Sequence, residues 1–188
     1  MMVEEVRKTS QLIVSGNLIL YPTDTIWGIG CDATNQDAVQ RIFRIKQRGD
    51  HKSMLVLVNG TSMLKDYLET IPERAINLLE HATKPTTIIY PGARNLAAGL
   101  IAEDGSVGIR ITTDPFCRQL LERTGKPIVS TSANISGEHS PAMFSQIKPG
   151  ILESVDYVVE WRQDDTTAAL PSSIIKIEPG GKITVIRS

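Results

Sequence analysis

The stretch 127-PIVSTSANISGEHS-140 begins as one kind of structure and ends as another. Gly125-Lys126 reads as a turn, and Pro127 to Thr131 reads as a strand built on β-branched residues. After Thr131 comes a run of hydroxyls, an amide and a glycine. Such a run buries poorly and forms no regular element, yet it offers many small donors and acceptors. A helical pattern opened by Asp114-Pro115 and closed by Gly125 precedes the strand. Helix, turn, strand and polar loop together are the unit of an α/β sheet. Ligands in open α/β sheets lie outside the carboxyl ends of strands. Ser130, Thr131, Ser132 and Asn134 are therefore candidate contacts. The alternative is a polar turn whose side chains bond their own backbone.

Working outward, the same alternation continues. Residues 3–15 carry Val3, Val6, Ser10 and Ile13 near helical spacing and stop at Gly16. LILY (18–21) is a short strand ended by Pro22. Asn35 or Asp37 caps a helix that ends near Lys46. MLVLV (54–58) is a strand, with helical patterns after it at 61–69 and 72–82. TTIIY (86–90), SVGIRI (106–111), DYVVE (156–160), SSIIKIE (172–178) and KITVIR (182–187) complete the strands. The pattern predicts an α/β fold with a mixed sheet, parallel crossovers early and an antiparallel hairpin around Pro179-Gly180-Gly181. Segments 91–105 and 133–150 read as long loops of the kind that often carry function.

Composition narrows the classes. The 188 residues suggest a single domain spanning 1–188, with a net charge of -1 and ordinary hydrophobic content of 41%. No global basic field advertises nucleic acid. The two cysteines, Cys31 and Cys117, form no CxxC, and three scattered histidines make a transition-metal site unexpected. Asp164-Asp165 is a weak candidate for a divalent ion; a solvated loop is the plainer reading. MMVEEVRKTSQ lacks the apolar core of a signal peptide, and no apolar run approaches the ~20 residues that cross a bilayer, so the expected location is the cytoplasm, away from any membrane.

Further clusters carry possible chemistry. Tyr21-Pro22-Thr23-Asp24-Thr25 ends a strand, and alternation puts Thr23 and Thr25 on one side. Four cations, Arg44, Lys46, Arg48 and Lys52, fall within nine residues past a helix. They are either helix C-terminal charges or a polyphosphate clamp. Arg110 interrupts the apolar strand VGIRI, so it either points outward or awaits an anion. Ser172 and Ser173 place hydroxyls at the start of a strand, and Arg187 ends the last one. No phosphate-binding GxxxxGK[ST], HExxH or GxSxG is present.

YPTDTIWGIGCDA, RIFRIKQRGDHKSM, SVGIRI, STSANISGE and PSSII resemble, in order and spacing, the YrdC/Sua5 family of threonylcarbamoyl-AMP synthases. The resemblance covers about residues 10–187 and points to the short, single-domain form. It implies a single-domain, twisted, mixed parallel/antiparallel sheet with flanking helices and a large, locally positive central cavity. The implied reaction turns L-threonine, bicarbonate and ATP, with Mg2+, into threonylcarbamoyl-AMP and pyrophosphate. A separate threonylcarbamoyl transferase complex would then modify adenosine 37 of tRNA, and a contact with tRNA is part of that expectation. Position by position, the resemblance implies catalytic roles for Lys46 and Arg48. Thr25, Arg110, Ser132 and Ser172 become contacts for threonine or bicarbonate. Arg48, Lys52, Ser130, Asn134, Ser140 and Arg187 fall near the nucleotide. The sequence departs from the family at Gly49 and Ser53-Met54, at Thr83-Lys84-Pro85-Thr86-Thr87 and at Trp27, where tyrosine is usual.

Adenylate formation needs no protein nucleophile, which agrees with cations and hydroxyls as the tools on offer. The departures keep open a divergent paralogue of the same fold with a weaker or different activity, and two other classes stay open as well. One is a non-enzymatic RNA-binding module using the 44–52 cations, with only 5% aromatics for base stacking. The other is a related transfer domain that takes carbamoyl phosphate.

Overall fold

A computed structural model describes residues 1–47 and 54–188. Helix α1 (Met2–Val14) buries Val6, Thr9, Ser10 and Ile13, a stripe of helical period; Val3 faces solvent. Strands β1 (Ile19–Tyr21) and β2 (Gly28–Gly30) flank the YPTDT turn. Helix α2 (Gln36–Lys46) starts where the Asn35 side chain accepts from Ala38 N at 3.1 Å and stops at left-handed Gln47. Then come β3 (Leu55–Val58), α3 (Thr61–Leu64), α4 (Glu73–His81), β4 (Thr86–Tyr90) and β5 (Val107–Ile111). Helix α5 (Pro115–Thr124) is capped by Asp114, which accepts from Cys117 N at 2.9 Å, and is closed by left-handed Gly125. β6 (Ile128–Ser132), α6 (Pro149–Leu152), β7 (Tyr157–Val158), β8 (Ser173–Ile177) and β9 (Ile183–Arg187) complete the described strands and α-helices, with 3-10 turns at Ala98–Leu100 and Phe144–Gln146.

Among the described residues the strands form one nine-stranded sheet in the order β7-β1-β2-β6-β3-β5-β4-β8-β9. The α/β class and mixed sheet are as expected from sequence, and the late hairpin is the antiparallel β8–β9 pair. The early part differs in detail. Within the first six strands only β3–β5 is parallel; β1–β2, β2–β6, β3–β6 and β4–β5 are antiparallel. The predicted helix at 61–69 is regular only over Thr61–Leu64. The strand at 156–160 is two residues long. No helix among the described residues is long and apolar enough to cross a membrane.

Alternation along the strands sends two sets of side chains to two faces. On one face Val56, Val58, Ile88, Tyr90, Val107 and Ile109 pack under α2, α3 and α4. On the other, Ile19, Tyr21, Leu57 and Ile128 pack under α1 and α5. Helices α1 and α5 cover only part of that second face. Their fully buried partners end at Leu57 and Ile128; at the next same-face positions Leu55, half-buried against that cluster, and Ser130 face a hollow.

The centre of the sheet tolerates no extra atom at Gly30. A Cβ there would lie 2.5 Å from the Val129 carbonyl oxygen and 2.6 Å from Tyr21 Cε1. Gly30→Ala is expected to lower unfolding free energy by about 1–3 kcal/mol. Urea unfolding with an unchanged slope checks this; a wild-type midpoint would contradict the close approach.

Candidate functional site

The hollow is a cavity of about 220 Å³ on the sheet face that α1 and α5 leave bare. Its floor comes from four neighbouring strands: Leu55 of β3, Gly108 and Arg110 of β5, Thr87 and Ile89 of β4, and Ile174 of β8. Register explains the grouping, because Leu55 pairs Ser130, Ile89 pairs Gly108 and Thr87 pairs Ile174. Gly108 contributes no side chain, and this leaves depth at the middle of the floor. The walls come from the YPTDT turn (Thr25, Ile26, Trp27, Gly28), the end of β6 (Ser130, Thr131, Ser132), Ser140, and the Pro171-Ser172 approach to β8. The expectation of a site outside the carboxyl ends of strands is therefore corrected. Side chains of one face build the floor, while the carboxyl ends of β6 and β9 and the turn after β1 contribute to the walls and mouth.

Arg110 dominates the electrostatics. Its side chain is 2% exposed and its Nη2 lies 3.0 Å from Oδ1 of Asp24, itself 9% exposed. The pair meets the distance of an ion pair, but the N–H directions miss: Nε and Nη2 of Arg110 and Oδ1 of Asp24 are buried without a hydrogen bond. A buried guanidinium with unmet donors beside a cavity is a ready anion site. Arg187 is the second cation. Its Nε donates to the Ser172 carbonyl at 2.8 Å, and burial, with the neighbouring Arg110 charge after it, lowers its pKa from the ordinary guanidinium value. Two like charges near one hollow are relieved by an anion between them.

The hydroxyls are directional. Thr23 Oγ1 donates to the Ile26 carbonyl at 2.9 Å and accepts from Thr25 N at 3.0 Å. With its one proton spent, the 3.0 Å contact between the Thr23 and Thr25 hydroxyls has Thr25 as donor. Thr25 therefore presents lone pairs to the cavity and suits a ligand N–H. Thr87 of the floor and Ser172 of the wall share a hydroxyl–hydroxyl bond at 2.8 Å. Sequence reasoning misses Thr87, because TTIIY reads as an ordinary strand. The alternation that puts Thr87 and Ile89 on one face is its only signal.

Seven of the predicted contacts, Thr25, Arg110, Ser130, Ser132, Ser140, Ser172 and Arg187, line this one cavity. Lys46 and Asn134 are not among the described residues that line it. Lys46 is 1% exposed, and its Nζ donates to the Ser132 carbonyl at 2.5 Å and to Asn134 Oδ1 at 3.1 Å, with Ser132 Oγ at 3.4 Å. Asn134 Nδ2 donates to the carbonyls of Ile135 and Glu138 at 3.1 and 2.7 Å. Both side chains thus tie the end of β6 at Ser132 to the loop that follows it. Arg48 and Lys52 lie outside the described residues. Cys31 and Cys117 are buried, and burial raises both thiols well above their usual range, so neither is an available thiolate. Among the described residues no group of three or more His, Cys, Asp or Glu side chains is placed to hold a metal.

Arg110→Met strips the counter-charge from buried Asp24 and is expected to cost about 3–5 kcal/mol. Adding Asp24→Asn removes the orphaned charge and is expected to restore most of that stability. Urea unfolding of the two variants checks the cycle. A single variant as stable as wild type would show that the pair is not electrostatically coupled.

The Sua5/YciO/YrdC family, described as telomere recombination, matches residues 11–188. The chain is 32% identical to the threonylcarbamoyl-AMP synthase of Pseudoalteromonas translucida (strain TAC 125) over 79% of its own length and 81% of that protein's. Its fold is similar to that of E. coli YciO, with a TM-score of 0.85 at 23% identity over 100% of this chain and 90% of that one. It is also similar in fold to P. abyssi Sua5 complexed with L-threonine, with a TM-score of 0.83 and 23% identity. That likeness covers 97% of this chain but only 53% of the P. abyssi chain, so this chain spans about half its length. Extent of match and fold agree that the chain belongs to the Sua5/YciO/YrdC family.

Proposed function

We propose that this protein is a threonylcarbamoyl-AMP synthase, a nucleotidyltransferase that makes threonylcarbamoyl-AMP and pyrophosphate from L-threonine, bicarbonate and ATP. The observation that carries the reading is the buried Arg110, with unmet donors, on the floor of a hydroxyl-lined cavity that Arg187 also enters. Threonine carboxylate, bicarbonate and triphosphate are all anions, and this cavity is built from donors and cations. The name carried by the curated relatives supports the same reading.

The chemistry asks little covalent work of the chain. Threonine nitrogen and bicarbonate give a carbamate with loss of water. A carbamate oxygen then attacks the α-phosphorus, the bond to the bridging oxygen breaks, and pyrophosphate leaves with the electron pair. The protein's task is placement and charge neutralisation. Arg110 takes an anionic group at the cavity floor, and its fixed fork suits a carboxylate or phosphate edge. Thr25 accepts from the amino nitrogen of threonine. Ser130, Ser132, Ser140 and Ser172 supply short donors along the walls, and Arg187 steadies the anion from the mouth. Lys46 and Asn134 act through the loop that fixes Ser132. Arg48 and Lys52 are assigned to the nucleotide phosphates on the family resemblance alone.

Magnesium fits as part of the substrate. No carboxylate cluster is placed to hold it among the described residues, and Mg2+ commonly binds through substrate phosphates while keeping its waters. It enters as the ATP chelate and offsets charge on the phosphates. The product serves tRNA modification in the cytoplasm through a separate transferase complex, with tRNA contact as a further element of the proposal.

Pyrophosphate release is expected to require threonine and bicarbonate as well as ATP. Carbamoyl phosphate should not replace bicarbonate, and RNA affinity with steep salt dependence but no turnover would favour the RNA-binding class instead. Thr25→Val is expected to raise KM for threonine about tenfold or more, the cost of losing a charge-assisted hydrogen bond, with kcat changed less. Steady-state kinetics with each substrate varied decides this. Release that ignores omission of threonine would end the proposal.

A further inference from the structure

A second hollow of about 560 Å³ lies at a place where α/β proteins bind ligands. Strands β3 and β5 are parallel neighbours. The chain leaves β3 for α3 and α4 on one face of the sheet, and leaves β5 for α5 on the other. Two crossovers diverging from adjacent parallel strands open a crevice at their carboxyl ends. The hollow is lined by the residues that leave β3 (Asn59, Gly60, Thr61) and β5 (Thr113), with Arg118 of α5 at one side. It is separate from the substrate cavity. The ion pair joins the two, since Asp24 lines the crevice and Arg110 lines the cavity.

We propose that this crevice binds a nucleoside monophosphate as a second, non-substrate site. Ile76 and Leu79 of α4 with Ile111 of β5 give an apolar wall for a base, and Ile76 is 41% exposed for want of cover. Asn59 offers an amide able to read a base edge. The carboxylate of Glu80 suits ribose hydroxyls. Arg118 and Lys84 supply the charge for one phosphate. The side chains of Asn59, Thr61, Lys84, Thr113 and Arg118 make no hydrogen bond or ion pair among the described residues, so these donors are uncommitted. The size falls in the range of small-molecule sites, roughly 300–1,000 Å³. The crevice and its donors stand independently of the synthase reading.

The test is a methyl NMR titration of the intact chain, labelled at Ile and Leu, with AMP, adenosine and inorganic phosphate in separate arms. AMP is expected to shift the methyls of Ile76, Leu79 and Ile111 in a saturable way, adenosine and phosphate each more weakly. Arg118→Glu is expected to weaken the AMP response of these methyls about tenfold. The methyls of Ile89 and Ile174 on the cavity floor should respond as in the parent. Shifts confined to Ile89 and Ile174 would overturn the proposal. Phosphate binding at the crevice as tightly as AMP would overturn the nucleotide assignment. Insensitivity to Arg118→Glu would overturn the role of the α5 cation.

Discussion

A guanidinium has been folded into a place where it is 2% exposed and two of its nitrogens still lack hydrogen bonds. Arg110 is costly to bury, and Asp24 meets only part of that cost because its carboxylate is close but poorly aimed. In the proposed function an anion meets the remainder. The other parts of the site are arranged around this unmet charge. Arg187 approaches the same hollow, and threonine and serine hydroxyls line it from β4, the end of β6, the YPTDT turn and the Ser140 and Ser172 segments. The hydrophobic core beneath keeps the floor rigid.

The cavity exists because two helices are placed at one end of a broad sheet. Helices α1 and α5 contact each other and cover β1, part of β3 and the start of β6. Beyond Leu57 and Ile128 the same face continues as Leu55, Ser130, Gly108, Arg110, Thr87 and Ile174 without a helix above it. The uncovered positions are mostly small, hydroxylated or charged where the covered ones are apolar. The proposed binding face is thus the part of the sheet that the fold does not use for its own core, and walls from the YPTDT turn and the Ser140 and Ser172 segments turn a flat surface into a hollow.

Much of the fold is legible in the chain because strands such as LILY, MLVLV and VGIRI carry dense β-branched and apolar runs between turn residues. β2 is not legible as a strand. Gly28-Ile29-Gly30 has one side chain in three residues, too few to reveal alternation; Val129 and Tyr21 crowd Gly30, and a Cβ at Gly28 would lie 2.9 Å from Ser130 Oγ. The motif residues Thr25, Arg110, Ser132 and Ser172 do converge. Local pattern cannot disclose which strand face the helices cover, so it places the site at strand ends and passes over Thr87. Lys46 shows the same limit. Its charge points toward phosphates in a reading of the sequence, but the described contacts of its ammonium are oxygens of Ser132 and Asn134, more than eighty residues away in the chain.

Arg110 holding anionic substrate groups on the uncovered sheet face is open to direct observation, in a crystal structure of the protein grown with ATP, magnesium and threonine. A carboxylate or phosphate oxygen is predicted within about 2.7–3.2 Å of Arg110 Nε or Nη2, with Thr25 and Ser172 on the same ligand set. Well-ordered substrates bound elsewhere, with the Arg110 donors still unmet, would contradict this role.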